Sequence, residues 1–144
     1  MESILNGLID LHVHAGPSVA DRAIDAFEMY ERASRRGYKA FVVKDHYFPT
    51  MMSAMLVQKH TRSAETQIFG QIVLNNSVGG INLKAVDIAC SMGAKIVTMP
   101  TVSAFHHIKA YQERSFCGGN SKSVQETPIY YLDECGKVKP VVIA

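Results

Sequence analysis

The chain has 144 residues, which fits one domain of ordinary size. Hydrophobic residues make up 47% and charged residues 19%, so a packed core can form and an intrinsically disordered chain is excluded. The formal net charge is only +2, and no basic block concentrates it, which argues against a nucleic-acid-binding surface.

Short apolar segments alternate with amphipathic ones along the chain. Asp25 is a plausible N-cap with Glu28 three residues later, and Gly37 is a plausible stop for the same helix. In chain order the pattern predicts a strand at 7–13, a helix at 25–36, a strand at 39–44, a helix at 52–65, a strand at 67–74, a helix at 82–92, a strand at 94–99 and a short helix at 103–113. A loop at 118–123 follows, and then two apolar segments, 129–132 and 138–143, flank a turn.

The spacing of these elements predicts an α/β fold. Successive strands begin roughly 26–31 residues apart with one helix between them, as in βαβ units. Strands this uniformly apolar are typical of a parallel sheet that helices cover. Residues 1–144 are thus predicted to form a single α/β domain, with about four βα units to residue 113 and a loop and hairpin-like segment at 114–144.

Two architectures remain open for this domain. A full (β/α)8 barrel takes about 250 residues, so parallel βα repeats in 144 residues resemble the first half of a TIM-like barrel. The alternative is a self-contained sheet of four or five strands. A half barrel is expected to leave apolar strand segments such as 41–43 and 72–74 without a partner, and therefore to form homo-oligomers.

The strongest local signal is the Asp-Leu-His-Val-His segment that ends the first predicted strand. Side chains alternate along a strand, so Asp10, His12 and His14 are expected to share one face. Two imidazoles placed in this way can chelate a divalent ion, and the carboxylate of Asp10 can orient one of the rings. The simpler interpretation of an isolated H-x-H motif is a pair of surface histidines.

The second predicted strand ends in Lys44, Asp45 and His46. Because the carboxyl ends of parallel strands meet at one edge of a sheet, His46 is expected beside the first two histidines. Lys44 shares the face of His46, whereas Asp45 points the other way or turns into the loop. Three neutral imidazoles that leave one position open for water are the requirement of a hydrolytic Zn, Mn or Fe site.

Weaker candidates lie on other segments. His106 and His107 follow the fourth predicted strand, and since adjacent helical residues face different directions, one of them, such as His107, is expected to supply a base or ligand. His60 is predicted to be a solvated side chain in the middle of a helix.

Anion binding has two further candidate segments. Asn75, Gly79 and Gly80 lie in a loop before the third helix, where backbone N–H groups can hold an anion, although glycines also serve tight turns. Arg22, after the first strand, is either an anion-binding residue or a surface charge.

These motifs together resemble known enzymes. Asp10-Leu-His12-Val-His14, then a helix that ends in Ala33-x-x-x-Gly37 and a strand that ends in Asp45-His46, is similar to the opening of the PHP (polymerase and histidinol phosphatase) phosphoesterases and of amidohydrolase-type hydrolases. The runs at 43–50, 75–80 and 99–101 resemble a bacterial and archaeal group related to amidohydrolases, and the resemblance extends to about Asp133.

The resemblance implies a (β/α) barrel with a divalent metal centre at the carboxyl edge of its strands. His12 and His14 correspond to metal ligands. His46 corresponds to the histidine of the threonine-aspartate-histidine motif in PHP enzymes, with Lys44 in the position of the threonine. Further ligands in these families come from the second half of the barrel.

The sequence leads to one main functional prediction and two alternatives. The main prediction is a hydrolase that uses metal-activated water on a phosphoester, amide or lactone, with Asp45, Lys44 and His107 as catalytic candidates and Lys44 or Arg22 neutralising an anionic small-molecule substrate. The alternatives are a truncated, inactive half barrel that self-associates, and a small anion-binding α/β domain. If the chain is only the first half of a barrel, metal binding with poor hydrolysis is expected.

Three features bear on the compartment and on other partners. No apolar run approaches the roughly 18 residues that span a bilayer, and the N-terminus has no early Lys or Arg of a secretory signal. The three cysteines form no C-x-x-C pair, which indicates reduced thiols. A cytoplasmic protein without nucleic-acid or membrane partners is predicted.

Overall fold

The computed structural model describes residues 4–61, 65–113 and 124–143. Its elements in chain order are β1 (Ile9–Val13), α1 (Ala26–Arg35), β2 (Ala40–Val43), α2 (Met51–His60), β3 (Gln67–Val73), a 3-10 turn (Asn76–Val78), α3 (Leu83–Ser91), β4 (Ile96–Thr98), α4 (Phe105–Glu113) and α5 (Pro140–Ile143). The predicted alternation of four strands with helices is confirmed.

The four strands form one parallel sheet in the order β1-β2-β3-β4. The sheet is curled like half of a TIM-like barrel, with helices between successive strands. All four strands therefore end at the same edge, which is where α/β folds place their functional residues.

Helix α1 begins and ends as the sequence predicts. The side chain of Asp25 accepts a hydrogen bond from the backbone N–H of Glu28 (2.8 Å), and the Glu28 carboxylate accepts one from the N–H of Asp25 (3.0 Å). After the helix, Gly37 takes a positive φ of 76° that favours glycine. Tyr30 and Ala33 then face the sheet in one apolar core with Phe41 of β2.

Helix α2 starts very close to strand β3. Thr50, just before the helix, donates its hydroxyl to the carbonyl of Val43 (2.6 Å) and accepts the N–H of Gln71 (3.0 Å). This contact brings the first turn of the helix onto Gly70, which has no side chain to obstruct it. The end of β2 is thereby tied to the middle of β3.

Two sequence-based expectations are wrong, one about the burial of strand segments and one about the end of a helix. Segments 41–43 and 72–74 are not left without partners, because every residue in them is at most 3% exposed. The apolar residues that the sheet exposes lie on its two edge strands, where Ile9 and Leu11 of β1 are 54% and 60% exposed and Val97 of β4 is 41% exposed. The helix predicted at 52–65 ends at His60, so that residue is terminal rather than mid-helix.

The C-terminal segment differs in part from the predicted hairpin. Leu132 and Val138 form a single antiparallel bridge, but residues 140–143 are helical, since the fixed φ of Pro140 suits the first turn of a helix. A parallel bridge between Ala104 and Ile129 joins the segment to the residue that precedes α4. The loop predicted at 118–123 lies outside the described residues.

Within the described ranges, no helix combines the length and the apolar character needed to cross a membrane.

Candidate functional site

His12 and His14 meet at the carboxyl end of β1. Their Nε2 atoms are 3.1 Å apart, and their ring centroids are separated by 5.0 Å. Strand pairing between β1 and β2 is irregular between Asp10 and Val13, and Asp10 accepts the backbone N–H of His12 at 3.0 Å. An irregularity of this kind redirects side chains. Asp10 therefore shapes the backbone beneath the histidines, whereas the sequence predicted that it would orient a ring.

The spacing of the two Nε2 atoms suits a shared ligand. Nitrogens about 2.0–2.1 Å from one ion, at tetrahedral or right angles, are roughly 2.9–3.4 Å apart. The observed 3.1 Å falls within that range. Without an ion, the same distance suits a hydrogen bond in which one of the two nitrogens carries the proton and the other accepts it.

His46 stands beside this pair, as the parallel topology predicts. Its ring stacks on that of His14 with centroids 5.0 Å apart and planes 28° from parallel. Its Nδ1 atom is 2.8 Å from the hydroxyl oxygen of Thr101, so Nε2 is the ring nitrogen left for a ligand. We refer to His12, His14 and His46 as the histidine cluster.

The histidine cluster is only partly arranged as a metal site. Across residues 4–61, 65–113 and 124–143, no group of three or more His, Cys, Asp and Glu side chains has the geometry to hold an ion. Only His12 and His14 of the cluster have their Nε2 atoms at a spacing that suits a shared ion. His46 stacks on the ring of His14 instead of pointing its Nε2 atom at the same position.

Asn75 holds the loops around His46 together. This fully buried side chain donates to the hydroxyl of Thr101 (2.9 Å) and to the carbonyl of His46 (2.8 Å). Its oxygen accepts the backbone N–H groups of Thr101 (2.7 Å) and Ser103 (3.2 Å). The sequence predicted that Asn75 contacts substrate, but in the structure it positions Thr101 and, through it, His46.

The glycines after Asn75 form a tight turn. Gly79 and Gly80 have φ values of 86° and 72°, and their N–H groups donate to the carbonyls of Asn76 and Asn75, both at 2.9 Å. Of the two sequence-based interpretations, an anion cradle or a turn, this geometry corresponds to the turn, because both amides are already bonded.

Asp45 turns away from the histidine cluster into the following loop. The hydroxyl of Ser18 donates to one of its carboxylate oxygens, and the backbone N–H groups of Tyr47 (2.8 Å) and Phe48 (3.1 Å) donate to the other. Asp45 is 4% exposed. Its carboxylate therefore stabilises the loop that carries His46, whereas the sequence offered it as a catalytic group.

The electrostatic environment keeps the cluster neutral. The pKa of His46 is lowered to about 4, mainly by burial and in smaller part by the positive charges of His14 and Lys44. Burial is also the main reason why the pKa values of His12 and His14 are lowered, with a contribution from Lys44 in His12 and from Arg22 in His14. The rings are therefore unprotonated near neutral pH, the form in which imidazole binds metal.

The histidines of α4 have different surroundings. His106 is exposed, with its ring 5.3 Å from that of Phe105. The ring of His107 lies 4.5 Å from that of Tyr111, and burial lowers the pKa of His107. These contacts place His107 beside Tyr111 on α4, and its predicted role as a base stays a prediction. His60 is exposed, in accord with the prediction of a solvated side chain.

A second polar cluster at the same edge was not predicted. The hydroxyl of the fully buried Ser103 donates to the carboxylate of Glu126 (2.5 Å) and accepts the N–H of Asn76 (2.9 Å). The side chain of Asn76 also donates to Glu126 (2.9 Å). These bonds anchor the C-terminal segment over the end of β3. Thr101 and Ser103 could have been predicted as site residues because they are polar and closely follow an apolar strand. Nothing in the sequence near Glu126 indicates that it joins them.

The fold and the histidine cluster define an α/β half barrel with a polar site at the carboxyl edge of its sheet. A family model matches residues 7–144, and the chain therefore belongs to the family of unknown function DUF6282. Neither the curated proteins nor the solved structures contain a match to it.

Proposed function

We propose that the protein is a metal-dependent hydrolase whose histidine cluster binds a divalent ion, Zn, Mn or Fe. The observation that carries this proposal is the 3.1 Å separation of Nε2 in His12 and His14 at the strand ends. Neutral imidazoles leave a bound ion electrophilic, and such an ion makes its water a nucleophile near neutral pH.

The surroundings of His46 support its place as the third ligand. Metal-binding histidines usually engage their second ring nitrogen in a hydrogen bond that fixes the ring. Thr101 is placed to do this at Nδ1 of His46, and buried Asn75 holds Thr101 in turn. In the proposed site, Nε2 of His46 is the third nitrogen ligand, beside those of His12 and His14.

The substrate class that follows is an ester or amide bond open to attack by water. Phosphoesters, amides and lactones all react with metal-activated water, because the ion polarises the oxygen under attack and also supplies the nucleophile. The carboxyl edge of the sheet leaves this position accessible, since His12 is exposed there.

Metal-dependent turnover tests the proposal. Protein loaded with one equivalent of Zn²⁺ or Mn²⁺ is assayed on phosphoester, amide and lactone substrates before and after chelator treatment. We expect turnover only with metal, and a loss of more than about 100-fold in His14→Asn, because even outer-shell changes cost roughly 10–100-fold. His60→Asn is the matched control, since that ring is exposed at the end of α2. Retention of no metal, or turnover that survives His14→Asn, would contradict the proposal.

A further inference from the structure

The two outer strands of the sheet each have a free edge. β1 and β4 are the ends of the strand order, and the isolated bridges within the described ranges involve neither of them. Ile9 and Leu11 of β1 and Val97 of β4 are apolar side chains exposed at these edges. An uncovered apolar strand is a template for pairing with another chain, and folded proteins usually cover such an edge.

Helix α4 also lacks a complete packing surface. In a right-handed crossover, the helix that follows a strand packs over that strand and over the next one in the sheet. Among the described residues the sheet has no strand beyond β4, and in 105–111, the part of α4 whose burial is described, no residue is buried. The apolar side chains of Phe105 and Ile108 are only half-buried. One more parallel strand beside β4 would complete the surface that α4 packs on.

The chain exposes more surface than a compact monomer of its mass. Its accessible area is 9721 Å², whereas a folded monomer of 15.9 kDa exposes about 7,400 Å². The difference of roughly 2,300 Å² exceeds the area of about 800 Å² that each partner buries in an interface of standard size. The surface is therefore large enough for a stable interface with a second copy.

The shape of the sheet indicates how a second copy would fit. Four parallel strands, curled like half of a TIM-like barrel, are half of the eight strands that close such a barrel. A two-fold rotation about the barrel axis preserves the strand direction, and it brings β4 of each copy beside β1 of the other. Strand number, curl and direction thus all suit a second copy of this chain.

We propose that two copies of this chain close one eight-stranded parallel barrel, in which β4 of each copy pairs with β1 of the other. The same two edges are used in both copies, so that no strand edge stays open. Because the two-fold axis runs along the barrel, both histidine clusters open at the same end. His12, which is exposed on β1, then lies next to the end of β4 of the partner subunit. The closed barrel goes beyond the proposed function and does not depend on metal binding.

Sedimentation velocity of the 144-residue chain at micromolar concentration measures its oligomeric state. We expect the wild type to sediment as a dimer. Leu11→Lys places a charge in the proposed seam and should weaken the dimer at least about tenfold, because a charge buried without a partner is unfavourable. Leu56→Lys is the matched control, since Leu56 lies on α2, away from both edges, and is 55% exposed against 60% for Leu11.

Cross-linking distinguishes the proposed seams from other dimers. In a background with Cys90, Cys117 and Cys135 replaced by serine, one preparation carries Leu11→Cys and another carries Val97→Cys. Neighbouring strands lie about 4.8 Å apart, so a short bismaleimide should join the two variants when they are mixed. Neither variant alone should cross-link, because the two β1 strands lie on opposite sides of the closed barrel.

Several results would overturn the closed barrel. These are a monomeric wild type, a dimer that Leu11→Lys weakens no more than Leu56→Lys does, and cross-linking within Leu11→Cys alone. A dimer weakened only by Leu56→Lys would place the contact on α2 and would overturn it as well. All of these measurements are made without added metal, so their results are independent of the hydrolase proposal.

Discussion

Among glycine-to-alanine substitutions, Gly70→Ala is expected to lower the free energy of unfolding the most. The added Cβ would lie 2.4 Å from the backbone nitrogen of Met51 and 2.5 Å from its Cα. These are backbone atoms at the start of α2, so no flexible side chain can move aside. Overpacking commonly costs 1–3 kcal/mol and sometimes more. We expect at least about 3 kcal/mol, which corresponds to a melting temperature lower by roughly 6–12 °C.

Gly16→Ala is the matched control for this substitution. Its added Cβ would meet its nearest atom, the carbonyl oxygen of Ile24, at 3.6 Å, an ordinary contact. Urea unfolding of both variants measures the difference in the free energy of unfolding. If Gly70→Ala unfolds at the same urea concentration as Gly16→Ala, the close approach of α2 to β3 described above is not present in solution.

Asn75→Ala is expected to have the second largest effect. The substitution removes the acceptor of two buried backbone N–H groups, those of Thr101 and Ser103, and the donor to the carbonyl of His46. Each buried polar group left without a partner costs about 1–3 kcal/mol, so a total loss of roughly 3 kcal/mol follows.

Asn82→Ala provides the comparison. Asn82 also accepts two backbone N–H groups, but as the N-cap of α3, where loss of the cap costs about 1 kcal/mol. Chemical unfolding of the two variants gives both values under one set of conditions. A cost for Asn75→Ala that does not exceed that of Asn82→Ala would contradict the conclusion that Asn75 holds the loops around His46 together.

The features that the sequence predicts well are those set by local pattern. Helix α1 has its N-cap Asp25, its acidic Glu28 and the terminating Gly37 within one short segment, and the structure places all three as expected. The meeting of His46 with His14 also follows from the sequence, because parallel strands with helical crossovers must end at one edge.

The features that the sequence does not predict depend on residues far apart. The hydrogen bond of His46 to Thr101 joins positions 55 residues apart, and that of Ser103 to Glu126 joins positions 23 apart. Spacing rules for strands and helices do not reach across such separations. The bond between Asp45 and Ser18 is unpredicted for a related reason, since it depends on where the loop after β1 lies.

Two expectations from the sequence differ from the structure, one about the burial of the central strands and one about the C-terminal segment. A half barrel is expected to leave the strand segments 41–43 and 72–74 open, but both faces of these central strands are covered. At the C-terminus, the valines at 141 and 142 favour a strand, yet Pro140 begins a short helix instead. In each case tertiary contacts or one backbone restriction outweighed the local preference.

X-ray absorption at the zinc edge, recorded on protein loaded with one equivalent of Zn²⁺, tests the central claim most directly. His12 and His14 are predicted to contribute imidazole nitrogens at about 2.0–2.1 Å, with His46 as the third. The spectrum should therefore show at least two imidazole ligands in the wild type and fewer in His14→Asn. A spectrum with oxygen neighbours alone, or a wild-type protein that takes up no zinc, would contradict a metal centre at this edge of the sheet.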